Sequence, residues 1–245
     1  MARPVRLLVT CEHGGNRVPV RYRALFEPYR AALESHAGYD IGALAMARDM
    51  AKAFASSWSA RLIYSTTSRL LVDLNRSVDH PMLHGTAVRR REDACREAIV
   101  ARYYSPYREE VERAVLSGTG EGARVVHVSC HSFTPSLDGR LRNADIGLLF
   151  DPARASEARF VRQWAAALKG GGDPLRVRFN YPYRGTSDGL TTSLRRLFED
   201  GCYAGVELEV NQAFPLGDTG RWRALRRRLV DGLGRALSHC AGFEE

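Results

Sequence analysis

"LVTCEHGGNRVP", residues 8–19, runs from apolar residues straight into an acid, a histidine and two glycines. Its upstream part, "RLLVTC" (6–11), reads as a buried strand. A packing turn has no need of the His13 imidazole, and a phosphate-binding loop has no need of the Glu12 carboxylate. The stretch is read as a strand that hands His13 to a loop, as a ligand, a base or part of a capped turn, with Gly14 and Gly15 leaving room beside it. A second segment repeats the pattern: "RVVHVSC" (124–130) is a strand that ends on His131.

Working outward, "RLIYS" (61–65), "DIGLLF" (145–150), "RVRFN" (176–180) and "YAGVELEV" (203–210) read as further strands. Helices are predicted over 40–57 with Asp40 as N-cap, over 90–116 with a break at Pro106, and over 155–169, 188–199 and 218–240. "KGGGDP" (169–174) reads as a turn. Strands alternating with helices predict one α/β domain over 1–245, a mostly parallel mixed sheet flanked by helices. In such folds ligands gather outside the carboxyl ends of the strands. His13, His131 and the acids near Glu209 would meet there.

Composition narrows the function classes. The chain has 245 residues, 44% hydrophobic and 26% charged, which suits a soluble enzyme with a substantial core. No apolar stretch reaches the ~18 residues of a membrane span, and the N-terminal apolar run is too short for a secretory signal, so a cytoplasmic protein is expected. Five widely spaced cysteines with no CxxC argue against a disulfide framework or a thiolate zinc site. The net charge of +8 raises the question of nucleic acid. The cations are almost all arginine and scattered over helices, and "RWRALRRRL" (221–229) fits a helix with Leu225, Leu229 and Leu233 on one face. Attraction of a small acidic substrate is the more economical use of that charge.

Four groups of residues carry the candidate chemistry. His13 and His131, at the ends of two strands, can share one divalent metal, and zinc accepts imidazole nitrogen readily. A third ligand should be an acid or imidazole; Asp40 is the best-placed acid and Glu12 its competitor, with His36, His80 and His84 lying in polar stretches. In "TSRLLVDLNRS" (67–77), Arg69, Asn75 and Arg76 have the donors to grip a carboxylate or an oxyanion, while an ion pair of Asp73 with Arg69 or Arg76 is the structural alternative. Glu207 and Glu209 fall on one face of a strand, with Val206, Leu208 and Val210 on the other, and either acid could serve as general base.

In this order, "CEHGGNRVP", "YDIGA", "SRLLVDLNR", "CHSFTP", "NYPYRG" and "VELEV" resemble the N-formylglutamate amidohydrolase (deformylase) family over residues 6–215. The resemblance implies hydrolysis of an N-formyl amide on glutamate, at the end of a histidine-degradation route, by a fold similar to that of the zinc carboxypeptidases. It implies metal binding by His13 and His131, substrate-carboxylate binding by Asn75 and Arg76, carbonyl polarisation by Arg69 and base catalysis by Glu209. Carboxypeptidases take a metal glutamate three residues after the first histidine; here that residue is Asn16, and Asp40 is the expected substitute. Tyr183 or Tyr181 is expected to close over the site. The expected cofactor is Zn2+ and the expected partner a small N-acyl acidic amino acid. A deacylase for another N-acyl amino acid or short peptide is the nearest alternative, and a non-catalytic nucleic-acid or regulatory binder the alternative of a different class.

Overall fold

The computed structural model describes residues 3–170 and 173–241, so Gly171 and Gly172 of the "KGGGDP" turn lie outside the described residues. "VRLLVTC" forms β1 (Val5–Cys11), buried along its length apart from a half-buried Arg6. It lies between β2 (Arg61–Tyr64) and β3 (Arg124–Phe133), parallel to both. Next comes β8 (Tyr203–Asn211), parallel to β3, then β6 (Ile146–Leu149), antiparallel to β8, and β7 (Val177–Phe179), parallel to β6. The order β2-β1-β3-β8-β6-β7 makes a mixed, mostly parallel sheet. β1 and β6 are near-continuous apolar runs because both faces of the sheet are covered, whereas β3 and β8 alternate apolar with polar residues. A small hairpin, β4 (Ser136–Leu137) and β5 (Arg140–Leu141), stands apart from it.

Helices cover the two faces. One face packs on α3 (Ala43–Phe54), α7 (Ala155–Lys169) and α9 (Thr219–Ala241) through Leu7, Val9, Val128, Val206, Met46, Trp164 and Leu229. Leu225, Leu229 and Leu233 of α9 are all buried, as their spacing predicts. The arginines of that run are partly tied down: Arg226 pairs with Asp49, and Arg228 donates to the carbonyls of Leu168 and Asp173.

The opposite face packs on the short helices α1 (Arg23–Phe26), α2 (Arg30–Leu33) and α4 (Thr86–Arg89), on α5 (Asp93–Ile99) and α6 (Ser105–Gly120), and on α8 (Leu190–Leu197). The break expected at Pro106 does not occur. A π-helical turn, Val100–Tyr104, links α5 to α6, with the Ser105 N–H bonded to the Val100 carbonyl five residues back. Pro106, which has no N–H to give, sits in the first turn of α6, where none is needed.

Asp40 is not the cap of α3. The helix begins at Ala43 behind Gly42, whose φ of 86° is the left-handed conformation a glycine adopts at no steric cost. Asp40 is thereby released from capping, and its carboxylate turns inward.

Among the described residues no helix is long and apolar enough to cross a membrane.

Candidate active site

Strand alternation builds the site. Val126, Val128 and Cys130 of β3 enter the core beneath α3 and α9, so His127, Ser129 and His131 take the other face. On β8, Val206, Leu208 and Val210 do the same, which turns Glu207 and Glu209 to the side of His131. The register sets Glu209 beside His131 and Glu207 beside Ser129. His131 is not the last residue of its strand, which runs on to Phe133. β1 ends at Cys11, and Glu12 and His13 follow at the same edge of the sheet. The His13 carbonyl accepts the Asp40 N–H at 2.9 Å, fixing the acid's backbone beside the imidazole.

His13, Asp40 and His131 form a buried group that could hold a metal ion, with one ligand atom from each within 4.8 Å of the others. Both Nδ1 atoms approach the same oxygen: His131 Nδ1 lies 2.8 Å and His13 Nδ1 3.4 Å from Asp40 Oδ2. The outer nitrogens are committed elsewhere. His13 Nε2 lies 2.6 Å from Asp73 Oδ1, and His131 Nε2 lies 2.9 Å from Ser129 Oγ and 3.2 Å from Glu12 Oε2. Glu12 also accepts hydrogen bonds from Ser129 Oγ at 2.6 Å and Tyr107 OH at 2.8 Å. A carboxylate behind each imidazole fixes its tautomer and orientation, as around metal-binding histidines. Glu12 is thus a support behind His131 and is not among the three converging side chains.

Arg69 closes the cluster, donating to Asp73 Oδ2 at 2.7 Å and to Asp40 Oδ1 at 3.4 Å. Burial opposes ionisation of Glu12, Asp40 and Asp73. It is outweighed by His131, Ser129 and Thr10 around Glu12, by His13 and His131 around Asp40, and by Arg69 and His13 around Asp73. All three carboxyls are held below their usual range. Burial likewise works against charge on the imidazoles, yet Asp73 and Asp40 raise His13, and Asp40 and Glu12 raise His131. Three buried carboxylates, of which Asp40 and Asp73 contact the Arg69 guanidinium and Glu12 does not, leave two negative charges to be balanced by imidazolium protons or a dication.

Glu209 differs from these acids. Burial, aided by the charges of Asp40 and Glu207, pushes its carboxyl up to about 8, against the pull of His131 and Arg69. Its Oε2 is buried with no hydrogen-bond partner among the described residues. Glu207 is engaged, accepting from Thr191 Oγ1 at 2.7 Å.

A pocket of about 210 Å³ gathers most of the sequence-predicted residues: His13, Asp40, Arg69, Asn75, Arg76, His131, Tyr183, Glu207 and Glu209 all line it. Asn75 is oriented by the Leu190 N–H, which donates to its Oδ1 at 2.7 Å and leaves the amide nitrogen 3.4 Å from His131 Nε2. The Tyr183 ring is exposed at the pocket, with Arg142 5.1 Å from its centroid. Tyr181 is not a lining residue; its hydroxyl accepts the Asn143 N–H. His80 and His84 lie elsewhere, bonded to the Met82 N–H and the Leu71 carbonyl, and His36 does not line the pocket.

Asn16 is exposed and does not line the pocket either. Gly14 and Gly15 make no room for substrate. A Cβ on Gly14 would stand 2.8 Å from the Ser65 carbonyl, and one on Gly15 2.9 Å from that of Thr66, so both serve close backbone approach. Cys11 and Cys130 are buried free thiols, pushed up by burial and unsuited to thiolate chemistry.

Sequence reasoning missed the supporting parts: Asp73 as the partner of His13, and Ser129 and Tyr107 around Glu12. Their signal was available only for β3, where Ser129 shares a face with His131.

A carboxyl free to exchange a proton, set against imidazoles and acids able to hold a cation, is the equipment a hydrolase needs to activate water, here carried on an α/β architecture. Residues 5–214 match the N-formylglutamate amidohydrolase family model, and the chain belongs to that family. It is similar to the gene product Atu2144 from Agrobacterium tumefaciens, at 30% identity and a TM-score of 0.80, over 97% of this chain and 92% of that one. The N-formylglutamate amidohydrolase from Ralstonia eutropha JMP134 shares the fold, at 18% identity and a TM-score of 0.72, over 97% and 94% of the respective chains. Among curated proteins no sequence match is found.

Proposed function

We propose that the protein is a zinc-dependent amidohydrolase that cleaves the amide bond of an N-acyl acidic amino acid, N-formyl-L-glutamate to formate and glutamate. The observation that carries this reading is the convergence of His13, Asp40 and His131 beside the unpartnered oxygen of Glu209. The donor set suits the ion: two imidazole nitrogens and one carboxylate oxygen, each imidazole backed by a second carboxylate, with two buried negative charges left over. When bound, zinc supplies Lewis acidity to water and to the substrate carbonyl.

The chain's own residues do the rest. Glu209 takes a proton from the attacking water, whose oxygen bonds to the formyl carbon. It then delivers that proton to the departing nitrogen as the carbon–nitrogen bond breaks. Arg69, held by Asp73 and Asp40, faces the pocket with its guanidinium and steadies the carbonyl oxygen as charge develops there. Asn75 and Arg76 hold the α-carboxylate. Tyr183 borders the substrate at the pocket mouth.

The test is formate release from N-formyl-L-glutamate by zinc-supplemented protein, alongside metal content. One zinc per chain, lost together with turnover in His13→Ala and His131→Ala, supports the reading. A protein that binds zinc stoichiometrically but releases no formate overturns the substrate, and one that hydrolyses fully in chelator overturns the metal.

A further inference from the structure

The pocket carries three arginines, and they are not equivalent. Arg69 is held by Asp73 and Asp40 and is already assigned to the carbonyl oxygen. Arg76 reaches Asp73 at only 4.0 Å and remains available. Arg184, which follows Tyr183, lines the same pocket, and its side chain makes no hydrogen bond or ion pair among the described residues. Nothing in the reading above employs it.

The backbone that carries Arg184 is pinned. Asn180 Oδ1 accepts the N–H groups of Phe150 at 3.0 Å and of Gly185 at 2.9 Å, which fixes the turn on both sides of Arg184. At the far end of the loop, Asp188 Oδ2 accepts the Ser77 N–H at 3.0 Å, immediately after Arg76. The two loops that present Arg76 and Arg184 are therefore latched to each other, and two uncommitted guanidinium groups border one small cavity. Two such cations at a fixed separation suit a ligand with two carboxylates, because a guanidinium binds a carboxylate through paired, charge-assisted hydrogen bonds. Of the nearby acids, Asp188 accepts the Ser77 N–H and Glu207 the Thr191 hydroxyl, and neither forms an ion pair with Arg76 or Arg184 among the described residues.

We propose that Arg184 is a specificity-determining residue that binds the side-chain carboxylate of the acyl amino acid while Arg76 takes its α-carboxylate. This inference rests on the amidohydrolase reading for the identity of the ligand. It makes the enzyme selective for acidic over amide or apolar side chains, with Arg184 as the residue that discriminates.

L-Glutamate and L-glutamine differ at that carboxylate and contain no bond the enzyme cleaves, so calorimetric titration of each into the zinc-supplemented full chain reads the anchor directly. The wild-type protein should prefer glutamate by about 10- to 100-fold, the range of a hydrogen-bonded charged contact. In Arg184→Gln and Arg184→Met the preference should shrink to within about threefold, and Arg184→Lys should recover part of it. A preference that survives both neutral variants, or none in the wild type, overturns the assignment. Formate release from N-formyl-L-glutamate is scored separately. Binding preference without formate release sinks the hydrolysis reading and leaves the anchor standing; formate release with the preference intact in both neutral variants does the reverse.

Discussion

His13 Nε2 lies 2.6 Å from Asp73 Oδ1, so one nitrogen of the ring is committed to a carboxylate and the other is left facing Asp40. Asp73 also holds Arg69 and accepts the Asn75 N–H at 3.0 Å. It therefore joins the imidazole to the segment that carries the substrate-binding side chains. Replacing it by asparagine keeps the volume and removes the charge that orients the ring. Asp73→Asn should weaken zinc binding by about 10- to 100-fold and lower turnover with it, as measured by competition with a chelator. An unchanged affinity would show that the carboxylate is only a partner for Arg69.

Glu209 and Glu207 share one face of β8, and their surroundings separate them. Glu209 has a buried oxygen without a partner and a carboxyl raised to about 8, whereas Glu207 is bonded to Thr191. Glu209→Gln should retain zinc and lose turnover by roughly 10²-fold or more, the usual worth of a positioned base. Glu207→Gln should cost less than about tenfold, through the position of α8. Full activity in Glu209→Gln, or a larger loss at Glu207, would reverse the roles.

The two readings of Asp40 show where sequence stops being informative. Strands are legible because burial on one or both faces leaves a periodic mark: "VELEV" alternates, and its acids do face the site while its apolar residues enter the core. Which residue caps a helix is decided by local backbone geometry. Here Gly42 takes that position by a positive φ, freeing Asp40 for the site, and no pattern in "YDIGA" announces it. Asp73 is hidden for another reason. Arg69 and Arg76, four and three residues away, offer themselves as local ion-pair partners, while His13 lies 60 positions off in the chain. The β4–β5 hairpin did carry a local signal, Asp138-Gly139, both with positive φ in a turn type that favours that pair.

His127 supplies a pH dependence distinct from catalysis. It is fully buried between Thr10 and Tyr203, each 2.8 Å from one ring nitrogen. Burial lowers its pKa to about 4, with Arg195, His131 and Arg108 acting in the same direction and Glu12 opposing. The unfolded chain thus binds the proton more tightly, near the ordinary value of about 6.5. Stability from neutral His127 is present above that value and is lost as pH falls toward 4. Between pH 7 and 5 the loss amounts to about 2 kcal/mol. Urea denaturation of His127→Gln should show a smaller fall over the same interval by about that amount, even if the variant starts less stable at pH 7. Parallel declines in the two proteins would mean that His127 titrates normally.

Gly185 tests whether the position of the loop governs substrate binding. A Cβ there would stand 2.2 Å from the Phe150 nitrogen and 2.5 Å from its carbonyl oxygen, contacts that backbone cannot relieve by rotating a side chain. Phe150 is buried at the end of β6, so the loop bearing Tyr183 and Arg184 has to yield instead. Gly185→Ala should destabilise the protein by about 1–3 kcal/mol. It should raise KM for the N-acyl substrate by roughly tenfold or more, with kcat changed less, because the displaced groups bind substrate and do not move protons. Kinetics at several substrate concentrations, with a thermal melt to confirm folding, make the comparison. An unaltered KM in a folded variant would detach this loop from substrate recognition; a fall confined to kcat would assign it to the chemical step.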